Sequence, residues 1–463
     1  MNKNLRKLVQ GKFEKQLYKS IVEESNSNLP KVAREDKFNG VKAMYLSTLR
    51  NVDRGYVKKG VAKKIISTLV LAAMVDTPES LKIKAQYKKK YGRGLPGLLV
   101  LSPTKTCNLK CMGCYASSSS ADKNTLEWKY VDKVMKDAHD NLGIRFYVIS
   151  GGEPLTYKSE GKDILDIPKK WKDSYFLMYT NGTLITEKVA KEMAKLGNIT
   201  PAISVEGYEK ETDCRRGKGI YKKILSAFEN LKKAGVPFGV SVTATKKNAD
   251  LLSKDPVYDF YFKEKGATYM WLFQYMPIGR AYNAKELMIT PKQRFKLFKQ
   301  WRHVMTDKQY FVADFWNSAC LSSGCISCAC EGGYFYIDWN GNIMPCVFIP
   351  YYVDNVRDLY KSGRKLEDAL QSDLFRKGRE WQTKYLGTKK KPGNMLMPCF
   401  IRDHHKEFYE AIKSCKKVLP EDECAKQAIK DEKWHKMIYD FDKKLANLTE
   451  PYWKKEYIKK DKK

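Results

Sequence analysis

The chain has 463 residues, and its 86 Lys and Arg outnumber 53 Asp and Glu to give a formal charge of +33. That length supports a full catalytic domain with appendages, and the basic excess favours anionic partners (nucleic acid, a phosphorylated substrate or an anionic membrane) unless lysine merely solvates the surface. The charged stretch Met1 to Lys42 shows no signal sequence, and no apolar run reaches the ~18–20 residues of a membrane span. A cytoplasmic protein is expected, with its 12 cysteines serving as ligands rather than disulfides.

The first 96 residues contain no cysteine and read as a basic helical region. Their most apolar piece, Ile65 to Val75, follows Lys58, Lys59, Lys63 and Lys64. Such a piece is either an ordinary buried helix or one lying in a membrane interface. Gly94 to Pro96 marks the turn into a catalytic domain over 97–310. There strand patterns fall at Leu98 to Pro103, Phe146 to Ile149, Tyr175 to Thr180, Ile199 to Val205, Pro237 to Thr245 and Thr268 to Tyr275. Helical patterns such as Leu126 to Leu142, Glu187 to Leu196 and Tyr221 to Ala234 lie between them. The alternation predicts an α/β fold of parallel strands joined by crossover helices, with the site at the carboxyl ends of the strands.

After the first strand comes Cys107-Asn108-Leu109-Lys110-Cys111-Met112-Gly113-Cys114, spaced C-x3-C-x2-C. Three thiolates on one loop reach three irons of a cuboidal 4Fe-4S cluster and leave the fourth iron open for chemistry. Structural zinc wants four protein ligands, and no fourth lies nearby in sequence. The second strand ends in Ser150-Gly151-Gly152-Glu153-Pro154, the third in Thr180-Asn181-Gly182 and the fourth in Ser204-Val205-Glu206-Gly207, followed by Arg215-Arg216-Gly217. Ser204 and Glu206 share a strand face by period two.

The cysteine triplet followed by Gly-Gly-Glu-Pro resembles the radical S-adenosylmethionine (radical SAM) superfamily. The resemblance covers about Gly97 to Arg402 and implies an open, partial (β/α)6 barrel. In that family the open iron chelates S-adenosylmethionine, and an electron from the cluster cleaves it to a 5′-deoxyadenosyl radical that takes a hydrogen atom from substrate. Carried over, Cys107, Cys111 and Cys114 hold the cluster, and Gly151, Gly152 and Glu153 hold the cofactor's amino group. Asn181 lies in a matching polar turn. Ser204 and Glu206 contact the ribose or the methionine end, and Arg216 pairs with the cofactor carboxylate or grips an anionic substrate. The family has an aromatic residue just before the third cysteine where this chain has Gly113, so Tyr115 is expected to cover the adenine instead. An electron donor such as ferredoxin or flavodoxin is implied as a partner.

A second group, Cys320, Cys325, Cys328, Cys330, Cys346 and Cys399, surrounds a predicted hairpin from Tyr334 to Pro345 with its turn at Trp339 to Asn342. It resembles the auxiliary-cluster extension called SPASM, or its shorter form twitch. The resemblance implies, over 311–403, one further 4Fe-4S cluster held by Cys346, Cys399 and either or both of Cys325 and Cys330. A zinc site built from Cys325, Cys328, Cys330 and Cys346 is the competing reading. Residues 404–463 read as a basic helical tail.

A narrower resemblance rests on Ser102-Pro103-Thr104, Gly113-Cys114-Tyr115-Ala116, Thr212-Asp213 and Asp314-Phe315-Trp316-Asn317 ahead of Gly324-Cys325. It is to radical enzymes of anaerobic bacteria, some of which join lipid acyl chains. The expected function is thus hydrogen abstraction from membrane-lipid acyl chains with C–C bond formation. The N-terminal lysines and a tail bearing Trp453 and Tyr457 would then contact the inner face of the membrane. A peptide- or protein-modifying maturase is the alternative enzyme. A basic, zinc-containing nucleic-acid-binding protein is the non-enzyme alternative, against which stands the intact Gly-Gly-Glu-Pro motif.

Overall fold

The computed structural model describes residues 3–25, 27–73 and 75–459. Met74, within the predicted apolar piece, and the last four residues of the tail lie outside them. Seven parallel strands follow one another in chain order: β1 (Leu98–Leu101), β2 (Phe146–Ile149), β3 (Tyr175–Thr180), β4 (Ile199–Val205), β5 (Gly239–Ala244), β6 (Tyr269–Gln274) and β7 (Val312–Asp314). Helices cross between them, among them α5 (Trp128–Asp140), α6 (Asp166–Lys170), α7 (Glu187–Leu196), α8 (Glu209–Arg216) and α9 (Ile220–Ala234). Gly197 and Gly235 close α7 and α9 at φ +69 and +80, left-handed stops that glycine adopts without Cβ strain.

The α/β class and the partial barrel are as expected, and β2, β3 and β4 have the expected bounds. β1 is two residues shorter than predicted, because Ser102 and Pro103 leave the ladder. β7 is an added strand. The hairpin β8 (Tyr334–Ile337) and β9 (Asn342–Met344) does form, and Asp338 fastens its turn by accepting from the Asn340 and Asn342 N–H groups at 2.9 and 2.8 Å. It is not a separate layer, because β8 pairs in parallel with β1 over all four residues and β10 (Asp354–Asn355) extends the same sheet.

Side chains alternate across this curved sheet with period two. Leu99, Leu101, Tyr147, Ile149, Phe176 and Met178 face the helices in one large core. Leu98, Val100, Phe146, Val148, Leu177, Tyr179, Trp271 and Phe273 face the barrel lumen. The lower end of the lumen is closed by hydrogen bonds: Thr200 Oγ1 meets the Tyr175 hydroxyl at 2.5 Å and the Tyr269 hydroxyl at 3.0 Å. Gly239 is required there, since a Cβ would stand 2.1 Å from the Tyr269 ring.

The basic N-terminal region is helical, as α1 (Lys3–Tyr18), α2 (Lys31–Asp53), α3 (Lys59–Ile65), a π-helical segment Ile66–Ala72, and α4 (Pro78–Tyr91). No helix among the described residues is long and apolar enough to cross a membrane. The tail does not present interfacial aromatics. Trp453 and Tyr457 are buried, the Tyr457 hydroxyl donates to Asp36 at 2.6 Å, and Arg302 holds the other oxygen of that carboxylate at 2.9 Å. Their apolar rings complete the seam between α2 and the helix Pro291–Thr306, which is why the tail folds inward.

Candidate active site

At the carboxyl ends of the strands a cavity of about 240 Å³ joins the cysteine loop to the lumen. Backbone contacts fix the loop above it. Ser150, Gly152 and Glu153 N–H groups donate to Leu101, Thr104 and Thr106 carbonyls at 2.9, 2.8 and 2.9 Å. This explains the glycine pair: a Cβ on Gly151 would stand 2.5 Å from the Thr104 carbonyl oxygen, and one on Gly152 would stand 2.2 Å from that of Thr106. The close approach expected toward a ligand is thus made first to the loop that carries the cysteines, although both glycines also line the cavity.

Cys107, Cys111 and Cys114 all line the cavity. Cys107 Sγ accepts from Leu109 N–H at 3.4 Å and lies 3.9 Å from Asn181 Nδ2, whose amide also donates to Asn108 Oδ1 at 2.8 Å. Arg280 clamps the loop from the barrel side through Cys111 and Ser118 carbonyls at 3.2 and 2.8 Å. Burial pushes the Cys107 thiol up to about 12. Burial also raises Cys111, with the Arg216 charge pulling the other way. Thiols so placed ionise when a metal centre takes the charge.

The other predicted contacts divide. Asn181, Ser204 and Arg216 line the cavity, and so does Tyr115, whose hydroxyl lies 3.0 Å from Ser150 Oγ. Glu153 stands behind the wall. One oxygen accepts from Thr180 Oγ1 at 2.7 Å and Leu155 N–H at 3.1 Å, the other from Asn181 N–H at 2.7 Å. Burial raises this carboxyl against those hydrogen bonds, and its unused lone pairs leave room for a further donor. Glu206 does not share a lumen face with Ser204, because β4 ends at Val205 and the alternation ends with it. Its Oε1 accepts Arg215 Nη1 at 2.6 Å and Arg216 Nε and Nη2 at 2.9 and 2.6 Å, while Oε2 is buried without a protein partner.

Two contributors were given no role of their own from the sequence, although Arg215 lies in the Arg215-Arg216-Gly217 motif. Arg215 returns to the loop, its carbonyl accepting Met112 N–H at 2.9 Å and its Nε donating to the Met112 carbonyl at 3.2 Å. Tyr275, just past β6, fills the space beside Gly113, where a Cβ would come within 2.3 Å of its hydroxyl. The missing aromatic at 113 was the available signal, but nothing in one sequence points from there to residue 275.

The second cysteine group assembles around the hairpin. Cys399 lies within electrostatic range of Cys325 and Cys346, and Cys330 within range of Cys325. Cys346 Sγ is held by the Tyr334 hydroxyl at 2.9 Å and Phe348 N–H at 3.4 Å. Burial raises the thiols of Cys330 and Cys346 to about 12. Cys328 is near the group but packs into the large core against Gly378, where a Cβ would stand 2.2 Å from its sulfur. Cys320 is apart, buried near Asp36. Among the described residues no three His, Cys, Asp or Glu side chains converge on a single-ion position. Ile326, Tyr334, Val347 and Phe348 carry the cavity wall up to this group.

Comparison with known proteins agrees with this geometry. The Radical SAM superfamily description matches residues 101–248. The AdoMet-dependent heme synthase of Methanosarcina barkeri is 25% identical over 62% of this chain and 85% of its own. The mycofactocin maturase MftC of Mycolicibacterium smegmatis is 27% identical over 64% of this chain and 76% of its own. Streptococcus suis SuiB, solved bound to S-adenosylmethionine, superposes with a TM-score of 0.52 at 18% identity, over 70% of this chain and 78% of that one, a likeness of fold. With thiol loop, glycine turn and barrel strands in register, residues 101–248 carry the radical SAM superfamily match, and the chain is an enzyme dependent on a 4Fe-4S cluster and S-adenosylmethionine.

Proposed function

We propose that Cys107, Cys111 and Cys114 ligate the catalytic cluster, and that S-adenosylmethionine lies along Gly151 and Gly152 between Asn181, Ser204 and Arg216, with Tyr115 and Tyr275 flanking it. The donor set fits: thiols alone converge on the loop, amide N–H groups back Cys107, and Arg216 brings a cation to the cavity already oriented by Glu206. When bound, cluster and cofactor supply a radical that removes a hydrogen atom from substrate. The protein's part is to hold that substrate and exclude water. Glu153 serves by fixing the Thr180 and Asn181 turn and by offering its spare lone pairs to the cofactor's ammonium. Cys325, Cys330, Cys346 and Cys399 hold one auxiliary cluster, with Cys328 left as a core thiol.

The substrate we propose is a lipid acyl chain. The observation that carries this is the lumen wall, where Phe146, Val148, Leu177, Tyr179, Trp271 and Phe273 run below the cluster loop. The charged side chains lining the cavity, Arg215 and Arg216, are both committed to Glu206. Ser204, Ser241, Thr243 and Gln274 also line the cavity, but its exposed lining is mainly apolar, as suits an apolar ligand. A ferredoxin or flavodoxin as reductant, and a cytoplasmic enzyme in peripheral contact with the inner face of the membrane, go with this reading. The second reading is a peptide substrate, favoured by the likeness to a maturase over 64% of the chain. Reduced, reconstituted enzyme should form 5′-deoxyadenosine faster when phospholipid is supplied, and deuterated acyl chains should pass deuterium into it. Deuterium arriving from a peptide and never from lipid overturns the acyl-chain reading.

A further inference from the structure

The α3 and π-helical segment is placed under the barrel, at the end opposite the cysteine loop. Lys58 N–H donates to the Gly235 carbonyl at 3.1 Å, and the Lys64 stem lies against Gly197. Those two glycines lie four residues before β5 and two before β4, so the segment covers the amino ends of the strands. It divides its apolar side chains. Ile65 and Leu69 turn inward onto the cluster of rings and aliphatics that includes the lumen wall. Ile66, Val70, Leu71 and Val75 stay in water, Ile66 and Leu71 more than half exposed at 54% and 55%, and Leu81 in α4 joins them.

Beside them runs a cleft of about 1100 Å³ between α3, α6, α7 and α9. Seven lysines line it, among them Lys64, Lys169, Lys172 and Lys195, and Glu187 is the lone acid. That carboxylate already meets Lys191 and Lys233 at 3.8 Å each. Folding leaves the cleft strongly cationic next to an uncovered apolar strip.

We infer that this end of the barrel docks on an anionic lipid bilayer, with Ile66, Val70, Leu71 and Val75 entering the headgroup boundary and the cleft lysines gathering anionic headgroups. The pairing of the two features selects the partner. Apolar side chains beside lysine define an interfacial helix, whereas interfaces between proteins are depleted of lysine and nucleic acid offers nothing to an aliphatic strip. This surface differs from the arrangement expected from the sequence, in which the buried tail rings shared the contact. It also turns the cavity mouth away from the membrane. Docking at this end supplies no route for a bilayer acyl chain to the mouth, and it needs no turnover, so the inference and the acyl-chain reading can fail separately.

The test is cosedimentation of the full chain with vesicles of phosphatidylglycerol and phosphatidylcholine in equal parts, against phosphatidylcholine alone, at low and high salt. Binding is expected to the anionic vesicles only and to weaken steeply with salt. Ile66→Ser with Leu71→Ser should cut the partition at least about tenfold, and Lys169→Gln with Lys172→Gln, on a separate element, should cut it comparably. Both pairs are exposed, so circular dichroism should match wild type. No binding to anionic vesicles at low salt overturns the inference, as does binding that the serine pair leaves unchanged. A dimer seen by analytical ultracentrifugation and dissolved by the serine pair overturns it in favour of a second copy. Polyglutamate binding as strong as vesicle binding, and indifferent to the serine pair, overturns it in favour of an acidic protein.

Discussion

The two thiol groups in this molecule are built in opposite ways. Cys107, Cys111 and Cys114 sit within eight residues on a loop, and their surroundings are polar and charged: the Asn181 amide, the Arg280 clamp and the paired Arg215 and Arg216. Cys325, Cys330, Cys346 and Cys399 come from four places over 75 residues and are gathered by a hairpin, a buried tyrosine and a short helix. The first group is preformed by local spacing and stays reachable from the cavity. The second exists only once β8 has added to β1, with Cys346 buried and Cys325, Cys330 and Cys399 part-exposed. Thiols that line a cavity suit a centre that must bind and release a small cofactor, while thiols gathered from distant segments outside it suit a permanent one.

The largest test of that difference is a matched pair of variants. Replacing Cys107, Cys111 and Cys114 by Ala should reduce 5′-deoxyadenosine to background while about four irons per chain remain. Cys346→Ser with Cys399→Ser should remove the other four or so and leave binding of S-adenosylmethionine at the first site. Iron analysis with electron paramagnetic resonance reads both. Loss of all iron from either variant alone would show that the two groups are not separate centres.

How far each group was legible follows from the same contrast. The loop, the glycine turn and three strand boundaries were readable because each is a local pattern, with spacing or period two carrying the signal. The shared face of Ser204 and Glu206 was misjudged because a strand pattern was continued one residue beyond its end at Val205. Trp453 and Tyr457 were read as interfacial from composition, whereas Asp36, more than 400 positions earlier in the chain, draws the tail inward. Cys325, Cys328 and Cys330 could not be told apart by spacing, and the packing that distinguishes their sulfurs, Cys328 against Gly378 and Cys330 against Gly333, involves in the first case a helix 50 residues away.

The next effect in size concerns the charge that organises the open site. Glu206 is buried and holds both Arg215 and Arg216. Glu206→Gln leaves two guanidinium groups without their anion, a loss of about 3–5 kcal/mol by the cost of breaking a buried pair from one side. Urea unfolding at neutral pH should show it, with a matching fall in affinity for S-adenosylmethionine measured by equilibrium dialysis. The second group has a buried pair of its own, Asp403 accepting from both Arg294 and the Cys399 N–H, which this change does not touch, so the auxiliary irons should stay.

For the second group the corresponding test is steric. Gly378→Ala would put a methyl group 2.2 Å from Cys328 Sγ. Overpacking of that kind costs about 1–3 kcal/mol, read as a lower urea midpoint. Because Cys328 is assigned to the core, iron content should be unchanged. A loss of about four irons would instead make Cys328 a ligand and reopen the choice among Cys325, Cys328 and Cys330.

The smallest effect tests the ring beside Gly113. Tyr275 sits where a side chain at 113 would go, and its hydroxyl donates to the Ala281 carbonyl at 3.2 Å. That bond ties the end of β6 to the segment that also carries Arg280, so the tyrosine supports the cysteine loop from below as well as filling a gap. Tyr275→Phe keeps the ring and removes only the bond, which is worth about 1 kcal/mol. Affinity for S-adenosylmethionine should then fall no more than about fivefold. Tyr275→Leu removes the aromatic face too, and a further drop in affinity with the iron of the first centre intact would assign the ring to the cofactor. If the leucine variant binds the cofactor as the phenylalanine variant does, the ring only fills space, and Tyr115 is left as the aromatic neighbour of the adenine.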